Sequence, residues 1–311
     1  MRAVYVDCTS DMRKVINDQK LVVPPAVEIN DGDPSPEDLE RFCQTNHILL
    51  VEHTSIPKEL LRANSTVRAI IFMGTGAGTY IDLDQAKSAG IQIATTRGYG
   101  DRSVAEHAMA LMFSGARDVA RMDRDIRIGQ WRPRGGLQLQ GRKLAVLGLG
   151  GIGLTFAHMA KSLGMDVAAW NRTPRNVPYF TADLDAALKD AEVVSLHLAL
   201  NNETKGLLDR RRLQLPKQGF LLVNTARAEL LDQAGFLEAL ESGQIGHAAL
   251  DVFYEEPLPA GNVFQSQDHV TVTAHAAYMT EDAYAELWRR TLHALEHIVT
   301  DRALWVRPLV Q

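Results

Sequence analysis

Three side chains of the kinds that bind anions and move protons, Arg227, Glu256 and His275, each come directly after a short apolar run. Arg227 follows Leu222-Val223-Asn224-Thr225-Ala226, Glu256 follows Asp251-Val252-Phe253-Tyr254-Glu255, and His275 follows Val270-Thr271-Val272-Thr273-Ala274. Such runs read as buried strands, and an open α/β sheet places its ligands beyond the carboxyl ends of its strands. A cation, a carboxylate and an imidazole meeting there have the makings of an anion clamp and a proton donor. Spacing alone leaves the roles open. Arg227 also reads as a loop cation, Glu256 as one of two solvated carboxylates before Pro257, and His275 as a hydrogen-bonded structural histidine.

A second constellation is less ambiguous. Gly148-Leu149-Gly150-Gly151-Ile152-Gly153 joins the apolar run Arg142–Leu147 to a helix-like stretch, and Val167–Trp170 completes a βαβ pattern. In that context the first glycine permits a tight turn and the second lets backbone approach a pyrophosphate. The third lets helix pack on strand, and the first-turn N–H groups of that helix face the anion. The end of the second strand selects the cofactor, because a carboxylate there binds a ribose 2′-hydroxyl whereas a 2′-phosphate needs donors or cations. This chain has Asn171-Arg172-Thr173, and the one nearby carboxylate, Asp166, stands at the start of that strand. Charge-assisted bonds from Arg172, with Arg175 as a second cation, are worth about 1.5–3 kcal/mol each. The expectation is NADP, with NAD less favoured; an exposed loop arginine is the competing reading of Arg172.

The elements that must position these residues are those of an α/β protein. Runs at Ala3–Val6, His47–Val51, Val67–Met73, Ile91–Ala94, Val193–Leu198, Phe220–Val223, Ala248–Phe253 and Val270–Thr273 read as strands between helical patterns. Ser103-Val104-Ala105-Glu106 has the form of a capping box, and apolar residues at helical spacing extend a long helix from Ser103 to about Arg127. Another amphipathic helix is expected from Thr280 to Leu304, packing on the first domain. The 311 residues, 46% hydrophobic and 23% charged, suffice for about two domains. A net charge of −5 without a basic block argues against nucleic acid or an anionic membrane surface and favours small-molecule partners. Cys8 and Cys43 form no metal-ligand spacing, so no metal is expected; with no signal peptide or spanning segment, the reading is cytoplasmic.

Several ordered segments together resemble the D-2-hydroxyacid dehydrogenase family: Val223-Asn224-Thr225-Ala226-Arg227, Ala249–Leu258 with Asp251 and Glu256-Pro257, Thr273-Ala274-His275-x-Ala277, Val194–Leu200, and Ile91–His107 with Gly98. The likeness runs from about Val67 to Ala283. It implies a Rossmann-type doubly wound parallel sheet at 99–282, inserted into a smaller flavodoxin-like α/β substrate domain at 1–98 and 283–311. It also implies hydride transfer between a nicotinamide cofactor and a small 2-keto or 2-hydroxy acid of the glyoxylate or hydroxypyruvate kind. His275 would be the acid for reduction, Glu256 would hold the imidazole and favour its protonated form, and Arg227 would clamp the carboxylate. Asp251 would bind the nicotinamide carboxamide, with a polar strand-end cap as its alternative, and His197 would lie near the cofactor or serve structurally. Backbone N–H groups of Thr75, Gly76 and Ala77 would form a nest for the substrate carboxylate. The long helix would be the surface of a homodimer.

The chain departs from the family pattern at Ala228, Ala274, Thr79, Arg97 and Gly100, where glycine, proline, aspartate, proline and asparagine are usual. Tyr278 and Arg97 are weak hints of a pocket ring and an anion-attracting cation. A dinucleotide-sensing binding protein of the same fold is the rival reading; a formate-type dehydrogenase fits less well, because Glu256 stands where that enzyme pairs glutamine with histidine.

Overall fold

A computed structural model describes residues 1–62 and 66–300. The chain divides into two compact units, residues 1–100 with the segment from Met279 onward, and residues 101–278. The expected boundary at 98/99 lies in the same glycine-bearing connection. The one at 282/283 falls inside the first turn of the last helix, which the observed division leaves whole.

The first unit is built from β1 (Ala3–Cys8), α1 (Ser10–Asp18), β2 (Val27–Asp31), α2 (Pro36–Thr45), β3 (Ile48–Val51), α3 (Lys58–Arg62), β4 (Ala69–Phe72), α4 (Ala77–Tyr80), α5 (Leu83–Ser88) and β5 (Gln92–Thr95). Its strands are all parallel in the order β2-β1-β3-β4-β5, the flavodoxin-like arrangement. β2 has no counterpart among the expected strands: it is an edge strand with only Val27 buried, too polar to register as an apolar run.

The second unit contains α6 (Asp101–Arg117), α7 (Val119–Arg127), β6 (Lys143–Leu147), α8 (Gly151–Ser162), β7 (Asp166–Trp170), α9 (Leu184–Leu188), β8 (Val193–Leu196), β9 (Phe220–Asn224), α10 (Gln233–Glu241), β10 (Ile245–Leu250) and β11 (Val270–Val272). Its six parallel strands run β11-β10-β9-β8-β6-β7, and a single parallel bridge from Ala169 to Phe180 extends the edge past β7. The order reverses between β6 and β8, where a doubly wound sheet opens its ligand crevice. Alternate residues feed two cores: Leu144, Val146, Leu221 and Val223 face Phe156 and α6, while Leu147, Leu196, Phe220 and Leu222 face Phe236 and α10.

The helix expected from Ser103 to Arg127 is two helices. α6 starts at Asp101, so Ser103 lies inside its first turn, and Glu106 pairs with Arg102 at 2.5 Å instead of closing a capping box. α6 ends where Asp118 turns left-handed, at φ 54°. The returning segment causes the break: Leu137 N–H donates to Ala116 O at 2.7 Å, and Arg134 reaches Asp125 at 2.8 Å and Asp118 at 3.7 Å. The last helix, α11 (Glu281–Thr300), belongs to the first unit and packs on α1 and β4; its expected end at Leu304 lies outside the described residues. Its Trp288 is 1% exposed, stacks on Tyr5 with ring centroids 6.0 Å apart and donates its indole N–H to Val22 O at 2.9 Å.

Candidate active site

His275 follows β11 on left-handed backbone, φ 51°, which is uncommon for a residue with a Cβ. Its N–H donates to Asp251 O at 2.8 Å. The Asp251 carboxylate accepts from Thr273 Oγ1 at 2.6 Å and from the N–H groups of Ala276 and Ala277 at 3.0 Å each. Asp251 is itself tied to β9 through Asn224 O and is 1% exposed. The carboxylate of Asp251, a candidate cofactor contact, thus also shapes the histidine loop. His107 on α6 adds a further brace, with Nε2 3.0 Å from Thr273 Oγ1 and 3.6 Å from Asp251 Oδ1.

The side chain so placed meets a carboxylate. His275 Nδ1 lies 2.6 Å from Glu256 Oε2, and Glu256 Oε1 accepts the Phe253 N–H at 2.8 Å, so both carboxylate oxygens are held. Burial pushes the Glu256 carboxyl up, but the His275 bond, the Phe253 N–H and the nearby Arg227 charge outweigh it and hold the group below its ordinary value. Because Nδ1 carries this bond, Nε2 is the ring nitrogen left to exchange a proton with a ligand. Arg227, half-buried beyond β9, is positioned by fully buried Asn224, whose Oδ1 accepts from Ala226 N–H at 3.0 Å and whose Nδ2 donates to Arg227 O at 2.9 Å. Sequence reasoning passed over Asn224 and His107 as positioning groups; neither contact is visible until β9, β10, β11 and α6 are adjacent.

The glycine segment fits a dinucleotide phosphate on structural grounds. A Cβ at Gly148, where φ is 104°, would stand 2.4 Å from His197 O, and one at Gly153 would stand 1.9 Å from Gly148 O. Those two glycines are required by the protein's own packing. A Cβ at Gly150, by contrast, would meet nothing within 4 Å: backbone there is bare toward open space, as a closely approaching ligand needs. Gly150 caps α8 without a side chain, so the first-turn donors of Gly151, Ile152 and Gly153 have no intrahelical acceptor, while Leu149 is buried in the core beneath.

Asn171 Oδ1 accepts Leu149 N–H at 3.0 Å and Asn171 Nδ2 donates to Thr173 O at 2.7 Å, clasping the glycine turn to the end of β7. Arg172 pairs with Glu203, a partner the sequence did not suggest, and both side chains are 67% exposed. His197 sits beneath Gly148 with Nε2 2.9 Å from Ser195 Oγ and its ring 4.8 Å from that of Phe156. Burial pushes its imidazole down to about 3, so it supports the turn as a neutral group. These residues and the His275 cluster all follow the carboxyl ends of strands of one sheet. Thr75, Gly76 and Ala77 lie in the first unit, after β4: Thr75 is exposed, Gly76 precedes α4, and the Ala77 methyl is buried in that unit's core.

Comparison with known proteins bears on this arrangement. The model of the D-isomer specific 2-hydroxyacid dehydrogenase NAD-binding domain matches residues 109–277. A glyoxylate reductase of Thermofilum pendens is 32% identical over 91% of this chain and 89% of its own length. The chain belongs to the D-isomer specific 2-hydroxyacid dehydrogenases. Within that family, a hydroxypyruvate reductase of Thermotoga maritima is 30% identical over 85% of this chain and 89% of its own. The chain spans about half the length of the D-3-phosphoglycerate dehydrogenase of Archaeoglobus fulgidus, 30% identical over 83% of this chain. Among solved structures, an acyclic imino acid reductase in complex with NADPH and D-Arg matches with a TM-score of 0.82 at 25% identity, over 96% of this chain and 97% of that one. The family carries an NAD(P)-binding domain of the doubly wound type, as seen in the second unit. Among the described residues no helix is long and apolar enough to cross a membrane.

Proposed function

We propose that this family member reduces small 2-keto acids of the glyoxylate and hydroxypyruvate kind to D-2-hydroxy acids, with NADPH as hydride donor. The observation that carries the reading is the His275–Glu256 pair at 2.6 Å with Arg227 close enough to act on the same carboxylate. Reduction of a keto acid needs a proton at the carbonyl oxygen and a cation for the carboxylate, and the bound nicotinamide supplies the hydride. His275, through Nε2, donates the proton; Glu256 keeps the ring oriented and favours its charged form; Arg227 holds the substrate carboxylate and polarises the carbonyl. The N–H groups of Thr75, Gly76 and Ala77, in the first unit, are proposed as further donors to the substrate carboxylate. Gly148–Gly153 receive the pyrophosphate, and Asp251 acts on the histidine loop.

NADPH is favoured because β7 ends in Asn171-Arg172-Thr173 with no carboxylate at its tip. The Arg172–Glu203 pair is exposed, and such pairs are worth ~0–1 kcal/mol, so a 2′-phosphate replaces it readily. The imino acid reductase neighbour was solved with NADPH. Both cysteines are buried and free, which suits a cytoplasmic enzyme; exposed Val119, Ile126, Ile128 and Trp131 support a homodimer through α7 and the residues after it.

The test is oxidation of NADPH and, separately, NADH against glyoxylate, hydroxypyruvate, pyruvate and bulkier 2-keto acids. The expected result is turnover of the small acids with kcat/KM for NADPH at least about ten-fold above that for NADH. Equal or better use of NADH removes the cofactor preference. Tight cofactor binding with no turnover of any acid replaces the enzyme by a dinucleotide sensor.

A further inference from the structure

Gly151 is one glycine more than the tight turn, the close phosphate approach and the helix packing require, and the structure supplies another reason for it. An ideal Cβ on Gly151 would lie 1.7 Å from Asp101 Oδ2 and 2.4 Å from Asp101 Cγ. The carboxylate of Asp101 therefore rests on the bare backbone of the first residue of α8. Asp101 is also the first residue of α6, and α6 packs along α8, so one negative charge serves the amino-terminal ends of two helices. Among the described residues the Asp101 side chain has no hydrogen-bond partner; it is held by shape and by the field of the two helix ends.

That position is also where the phosphates of a dinucleotide meet the first turn of α8, on the reading proposed above, from which this inference follows. We infer that Asp101 is an internal anion on the phosphate cradle, which weakens cofactor binding by charge repulsion and speeds release. In the unliganded protein the carboxylate offsets the positive field at the helix ends. When a diphosphate arrives, Asp101 must turn aside, yet its charge stays within a few ångströms of two like charges, where repulsion is only partly screened. A glycine at 151 is what admits the carboxylate: any side chain there would expel it.

The sign of this effect separates it from an ordinary site residue, whose loss weakens binding. In Asp101→Asn, which keeps the shape and removes the charge, the Kd for NADPH measured by calorimetry is expected to fall about ten-fold, and the dissociation rate to slow by a similar factor. The thermal midpoint of the unliganded variant is expected to drop by a few degrees, because the helix ends lose their counter-charge. An unchanged or weaker NADPH affinity in Asp101→Asn, beside normal binding by the wild type, overturns the inference and leaves the cofactor reading intact. Absence of nicotinamide binding in both proteins removes the cofactor reading and the inference with it. The contact has its own check: Gly151→Ala should lower the midpoint strongly in the wild-type background and much less in Asp101→Ala. Equal losses in the two backgrounds refute the contact on which the inference rests.

Discussion

The left-handed backbone at His275 opposes folding by about 1–3 kcal/mol, and it persists because the surrounding bonds converge on Asp251. The loop is thus held by its backbone, and the imidazole can be removed without releasing it. His275→Ala is expected to abolish nearly all turnover while NADPH affinity stays within a few-fold; retention of full activity would refute proton transfer by this ring. Glu256 acts on the ring through charge. Its carboxyl is held below the ordinary range, so it stays ionised wherever the enzyme works. Glu256→Gln, which removes the carboxylate charge that holds Nδ1, is expected to lower kcat/KM for keto-acid reduction by about ten-fold or more, and an unchanged value takes Glu256 out of the mechanism.

At the scale of elements, the break between α6 and α7 is tied to the sheet. Gly115 lets α6 lie against β9 and β10, since a Cβ there would stand 2.6 Å from Leu221 Cδ1 and 2.9 Å from His247 Cδ2. His247 is pinned under the helix with Nε2 2.9 Å from Thr271 Oγ1 and Nδ1 4.0 Å from Asp118 Oδ1. Burial pushes its imidazole down to about 4, with neighbouring cations adding to the effect and Asp118 opposing it. A histidine neutral in the fold but titrating near 6.5 when unfolded binds more protons in the unfolded chain between those values. Its contribution to stability is full above about 6.5 and lost as the pH falls toward 4, by up to about 3 kcal/mol. In His247→Gln, urea denaturation at pH 7 and pH 4.5 should show a smaller drop in stability than in the wild type. An identical drop would mean that His247 is not kept neutral.

At the scale of the molecule, α7 and the turn after it expose apolar groups that a lone chain would be expected to cover. Val119 is 51% exposed, Ile126 53%, Ile128 68% and Trp131 85%. Exposed apolar groups grouped in this way mark association sites; Val119 and Ile126 fall within the stretch expected as a dimer surface, and Ile128 and Trp131 just beyond it. On the proposed homodimer, Ile128→Glu combined with Trp131→Glu is expected to give a monomer in light scattering, with helix content by circular dichroism unchanged. A variant that remains dimeric places the interface elsewhere.

Features that neighbouring residues encode are legible along the chain. Apolar runs between helical patterns specified ten of the eleven strands among the described residues, the glycine spacing marked the turn from β6 to α8, and strand-end positions singled out Arg227, Glu256 and His275 as candidates. Edge strand β2 escaped because exposure leaves its composition polar. Contacts between distant segments emerge only on folding: Leu137 closing α6 at Ala116, Asp251 shaping the loop at 273–277, Glu203 meeting Arg172, and Asp101 resting on Gly151. In each of these a side chain or backbone group is satisfied by a partner brought near by strand order and helix packing, and no local pattern of residue types records that partner.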